Sequence, residues 1–175
     1  MAGIQEGFYF ELFIIVVFAG FLGLILNKYL KKRNVLTKYL LISFSMQFLA
    51  IIFSWITKLF QLYVFERDWN RENTPFFWLM ARIYDFHISL FFMTIAIFYT
   101  FLFRTQAFSE RIDYRRKKAI IIAILLSGVF ILFVYSYEMD IFTILAFLLV
   151  VTDLFLVYIP FMIKSFTYGK SVENP

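Results

Sequence analysis

Five long apolar stretches, at 8–26, 39–65, 76–103, 119–137 and 141–163, fill this chain, and every dense cluster of Lys and Arg falls between alternate ones. Each stretch is long enough to cross a hydrocarbon core of ~30 Å at ~1.5 Å of rise per helical residue. Lipid offers backbone amides and carbonyls no partners, so a crossing segment must satisfy them internally as a helix. The expected fold is an all-α integral membrane protein, a five-transmembrane-helix bundle with helices at about 8–29, 37–65, 75–104, 118–137 and 140–164. The connections are too short for an extramembrane domain, so residues 1–175 are expected to form a single membrane domain.

The net charge of +5 would suit nucleic acid, but its distribution argues for a bilayer. Thirteen of the 17 basic residues fall on one side. They are Lys28, Lys31, Lys32, Arg33 and Lys38 after the first stretch, Arg104, Arg111, Arg115, Arg116, Lys117 and Lys118 after the third, and Lys164 and Lys170 in the tail. The opposite links hold Glu66, Asp68, Glu72, Glu138 and Asp140, with Arg67 and Arg71. The positive-inside rule then puts the N-terminus outside and the C-terminus in the cytoplasm. Lys31, Lys32, Arg33 and the run 115–118 are expected at the lipid headgroups, anionic ones included. No nucleic-acid partner is expected. A prokaryotic plasma membrane or an organellar inner membrane fits the whole.

The chain has no cysteine, which excludes disulfides and thiolate metal sites. The first eight residues lack Lys and Arg, so the first stretch reads as an uncleaved anchor. Thr74-Pro75 is a plausible start for the third helix and Asp140 for the fifth. Tyr63, Trp69, Trp78, Tyr135 and Tyr137 form an expected outer aromatic belt. The tail from Thr167 to Pro175 is short and polar; ending at Asn174-Pro175, it also suits a fragment of a six- or seven-helix protein.

Inside the spans, spacing is the informative variable. Ser43, Gln47, Ala50, Ser54, Thr57 and Gln61 recur at alternating intervals of four and three, the seam of a left-handed helix pair. Ala81, Asp85, Ser89, Ala96 and Thr100 repeat the pattern in the third span, and Thr143, Ala146, Asp153 and Pro160 in the fifth. Small and polar residues on such seams let backbones approach and hydrogen-bond across helices. The first and fourth spans carry shorter patches, Ala19 with Gly23 and Ala123 with Ser127, and are expected to face lipid more.

Charges in hydrocarbon are costly and need a reason. Lys58 and Arg82 fall roughly 10 Å deep, Asp85 roughly 14 Å and Asp153 roughly 18 Å. Arg82 and Asp85 are one turn apart and can pair. Lys58 can reach Asp85 or stretch towards Asp153, and Glu11 can join from the rim. Without a base, Asp153 is expected to bond Ser54 or Ser89. Pro160, on the same face, removes the backbone bond to Leu156 and permits a kink. His87, the only histidine, points away from Asp85 and is expected to bond another helix or subunit.

No nucleophile–base grouping, phosphate-binding glycine loop or metal-ligand cluster is present in the sequence, so neither catalysis nor a cofactor is expected. The reading that results is a non-enzymatic protein working through helix contacts, with other membrane subunits or a second copy as partner. It would serve as a subunit of a membrane complex or as a sensory module. The alternative is a small proton- or ion-coupled transporter using Asp153 with Lys58, Arg82 and Asp85. A lipid-modifying enzyme with an outward polar pocket comes third.

Overall fold

The computed structural model describes residues 2–63, 77–108, 113–133 and 140–173. They form six helices: α1 (Ala2–Lys32), α2 (Val35–Tyr63), α3 (Phe77–Tyr84), α4 (His87–Ala107), α5 (Tyr114–Phe133) and α6 (Asp140–Glu173). No strand occurs among the described residues. Four segments are long and apolar enough to cross a membrane: Glu6–Lys32, Val35–Leu62, His87–Ala107 and Ile144–Thr167. Helix α5 opens on Tyr114, Arg115, Arg116, Lys117 and Lys118 before its apolar run begins. The side chains of Tyr63, Trp69, Thr74, Pro75, Trp78, Tyr135, Tyr137 and Asp140 lie outside the described residues.

Helix α1 ends where Arg33 turns to φ 42. Its amide still donates to the Tyr29 carbonyl at 2.7 Å. Asn34 then caps α2, its Oδ1 accepting the Leu36 amide at 3.2 Å. The turn is short, so α1 and α2 fold back as a hairpin.

The third apolar stretch is not the continuous helix expected over 75–104. It divides at Asp85-Phe86 into α3 and α4, with Phe86 at φ 63, ψ 2. A left-handed phenylalanine costs roughly 1–2 kcal/mol against the helical conformation. Local bonds soften the break: Asp85 N–H to Ala81 O at 3.0 Å, Phe86 N–H to Ile83 O at 3.2 Å, and Leu90 N–H to Phe86 O at 2.9 Å. The Phe86 ring also rests 6.2 Å from that of Phe147 on α6. Tertiary packing thus holds a conformation that local preference opposes. Conversely, α6 runs unbroken through Pro160 and on to Glu173, past the end expected near 164.

Cross-helix pairs fix the directions. Glu11 meets Lys58 and Phe18 meets Phe44, so α1 and α2 are antiparallel. Ser43 meets Thr100 while Ser89 meets Ala50, so α2 and α4 are antiparallel too. Phe86 meets Phe147 and Phe103 meets Phe161, making α4 and α6 parallel. Helix α4 is central: α2 packs along one side of it, with α1 behind, and α5 and α6 cover the other. The apolar core lies on that second side, where Leu90, Ile97 and Phe101 meet Ile124, Ile131, Ala146, Val150 and Val157.

Helix α1 turns large side chains outward along its whole length, among them Tyr9, Phe13, Val16, Leu24 and Leu30. Helix α5 does so at Leu125, Leu126, Val129 and Phe133. Helix α6 is as open, at Ile144, Leu148, Phe155 and Met162, although its polar face suggested an interior position. It buries one stripe only, including Ala146, Val150, Asp153 and Val157.

Candidate functional site

The polar side chains of the spans gather in layers along the bundle. Nearest the N-terminal end of α1, Lys58 Nζ pairs with Glu11 Oε1 at 2.6 Å. Ser54 Oγ donates to the same oxygen at 2.7 Å. Gly7, one turn before Glu11, lies beside the lysine: a Cβ there would stand 3.3 Å from Nζ. Lys58 therefore turns to α1 and not to Asp85 or Asp153. The geometry follows from Thr57, which bonds α3 and so swings its neighbour about 100° round the helix. Ser54, placed on the seam of the second span by its spacing, belongs to the α1 interface.

The next layer surrounds the break. Thr57 Oγ1 donates to the Ile83 carbonyl, and Gln61 Nε2 to the Tyr84 carbonyl at 3.3 Å. From the same break, Arg82 Nε donates to Leu132 O at 2.6 Å. His87 Nδ1 bonds Ile131 O at 2.7 Å. A carbonyl can only accept, so the histidine carries its proton on Nδ1 when it makes this bond. His87 is 1% exposed and bonds a neighbouring helix. Asp85 occupies the break itself. Carbonyls at the end of α3 and near the end of α5 thus receive side-chain donors from three helices.

A third layer joins α2, α4 and α6. Ser43 Oγ donates to Ala96 O at 3.0 Å and lies 2.7 Å from Thr100 Oγ1. Thr100 Oγ1 is 3.2 Å from the Tyr158 hydroxyl, which also receives Gln47 Nε2. Ser89 Oγ donates to Ala50 O at 2.7 Å. The expected seam residues Ser43, Gln47, Thr57 and Ser89 therefore all form bonds between helices. Tyr158 was missed by sequence reasoning, because a tyrosine near a span end reads equally well as a belt residue.

Arg104 was missed for a different reason. It counted among the basic residues of the link after the third span, yet it lies inside α4 and is 4% exposed. Its Nη1 donates to Val157 O at 3.0 Å and to Leu156 O at 3.5 Å. Its guanidinium carbon stands 5.2 Å from the centre of the Phe101 ring. Leu156 is the carbonyl that Pro160 deprives of its helical donor. The missing amide and the arginine were both visible in the sequence; that α4 and α6 are neighbours was not.

Asp153 is 6% exposed. None of its expected partners reaches it: Lys58 and Ser54 are engaged with Glu11, and Ser89 with Ala50. It lies on the buried stripe of α6. Ser127 Oγ, on α5, donates to Ala123 O at 3.0 Å. Asp153 Oδ2 has no hydrogen-bond partner among the described residues. No grouping of three or more metal-ligating side chains occurs among them either.

Of the basic residues assigned to headgroups, Lys31, Lys32 and Arg33 are exposed at the α1–α2 turn. Arg115, Arg116 and Lys118 are exposed at the start of α5, with Lys117 half-buried. Set against known proteins, the chain shows no significant match to a family model, a curated sequence or a solved structure.

Proposed function

We propose that this is a five-span membrane protein, N-terminus outside and C-terminus cytoplasmic, that acts through helix contacts as a subunit of a larger membrane complex. Chain direction alternates from α1 through α2, α3–α4, α5 and α6, which suits five crossings with the termini on opposite sides. The α1–α2 turn and the start of α5 then share one basic end, in keeping with the positive-inside rule.

The observation that carries the reading is where the polar groups go. Ser43, Thr57, Gln61, Arg82, His87, Ser89 and Arg104 each bond a backbone carbonyl of another helix. That use ties the helices to one another and stiffens a scaffold. The patch of small residues on α1 is by contrast open: a Cβ at Gly20 or Gly23 would meet nothing within 4 Å. Ala19, Gly20 and Gly23 offer a partner helix the close approach that drives association in lipid. A membrane-embedded sensory module would use the same surface.

Native mass spectrometry after gentle extraction from the source membrane tests this. Stoichiometric co-purifying chains are expected, and Gly20→Leu with Gly23→Leu should release them. A lone monomer from the unsubstituted protein would sink the subunit reading.

Asp153 favours a second reading, a proton- or ion-coupled role. Its buried carboxyl has an oxygen, Oδ2, with no hydrogen-bond partner among the described residues, as a group that takes up and releases a proton would need. Proton flux through liposomes should fall on Asp153→Asn with the fold retained, and unchanged flux would remove the role.

A further inference from the structure

At the end of the bundle opposite the Glu11–Lys58 pair, an open groove of about 460 Å³ lies where α1 turns into α2 and α4 closes one side. Its lining divides by chemistry. Leu24, Ile25, Leu40 and Phe103 form an apolar part, while Lys28, Lys32, Asn34 and Thr37 supply polar groups. Lys28 and Lys32, one helical turn apart on α1, form no ion pair among the described residues. Asn34 uses its side-chain oxygen to cap α2, which leaves its amide hydrogens as donors. The polar groups are therefore donors and cations without a matching acid, beside a wall that suits hydrocarbon.

We infer that this groove binds one anionic phospholipid, with the headgroup phosphate between Lys28 and Lys32 and an acyl chain along Leu24, Ile25, Leu40 and Phe103. Charge complementarity selects the anion, and the apolar wall selects a lipid over a free phosphate. Basic pockets between transmembrane helices at the cytoplasmic face take anionic headgroups by this chemistry. The inference needs the chain to sit in a bilayer, but it does not depend on any partner helix at Gly20 and Gly23.

The test uses the full chain, delipidated in detergent and supplied with equal phosphatidylglycerol and phosphatidylcholine of identical acyl chains. Native mass spectrometry then counts retained lipid. One retained phosphatidylglycerol per chain is expected, and Lys28→Gln with Lys32→Gln should lower its preference over phosphatidylcholine roughly thirty-fold, the worth of two lysines at an anionic surface. Both lysines are exposed, so the substitutions leave the core untouched. Arg115→Gln with Arg116→Gln, equal in charge change but outside the groove, should preserve the preference. Leu24→Trp, which fills the apolar wall, should expel the lipid with every charge intact. Equal loss in the two charge variants would overturn the proposal in favour of a diffuse basic surface. So would displacement of the lipid by glycerol phosphate, or retention in Leu24→Trp.

Discussion

Two helical segments in this protein contradict what their sequences suggest. The stretch through Asp85-Phe86 contains no proline or glycine at its break, yet it divides into two helices. The segment through Pro160 has a proline well inside it, yet it continues as one. In both, helical amide bonding is interrupted and side chains from neighbouring helices donate to carbonyls beside the interruption. Thr57 and Gln61 do so at Ile83 and Tyr84, and Arg104 at Val157 and, at 3.5 Å, at Leu156, the carbonyl that Pro160 strips. Inside a membrane, then, a helix can break wherever donors are supplied and can survive a proline for the same reason. Intrinsic propensity alone decides neither case.

Removing Arg104 should disturb this arrangement most. Arg104→Leu leaves two carbonyls near Pro160 without their charged donor and is expected to cost roughly 1.5–3 kcal/mol. Thermal unfolding in nanodiscs would measure it, and a variant as stable as the parent would show that Pro160 needs no clamp. Arg104→Lys should recover part of the loss.

Position 86 offers a change of sign. In an unbroken helix alanine is favoured over glycine by roughly 1 kcal/mol. At a left-handed residue the order reverses by a similar amount. Phe86→Gly is thus expected to be more stable than Phe86→Ala, and the opposite order would mean that the third stretch is continuous. Thr57→Val should cost less, about 0.6–1 kcal/mol, since one neutral bond between helices is lost.

Pro160→Ala should have the smallest effect, within about 0.5 kcal/mol, because the restored amide competes with Arg104 for one carbonyl. Its use lies in combination. On the Pro160→Ala background, Arg104→Leu should cost clearly less than alone, and additive losses would show that the two residues are not coupled.

Much of this was legible in the sequence because lipid imposes few solutions. Length and hydropathy decide that a segment is helical and able to cross, and they do so residue by residue without knowledge of neighbours. The heptad-like spacing of Ser43, Gln47, Ala50 and Thr57 likewise identified the face of α2 that meets other helices.

Partner choice was not legible. Lys58 had Asp85, Asp153 and Glu11 within reach by depth, and it pairs with Glu11. Asp153 had serines on two helices at suitable depth, and both are engaged elsewhere. Arg104 looked like part of a basic link until α6 was placed beside it. The sequence by itself determined that this chain is helical and apolar enough for a bilayer, since that follows from backbone hydrogen bonding in a solvent without donors. Only the tertiary structure decided which carbonyls lose their helical amides and which side chains replace them. Depth is a one-dimensional property that a sequence encodes, whereas adjacency around the bundle is set by packing of all the helices at once.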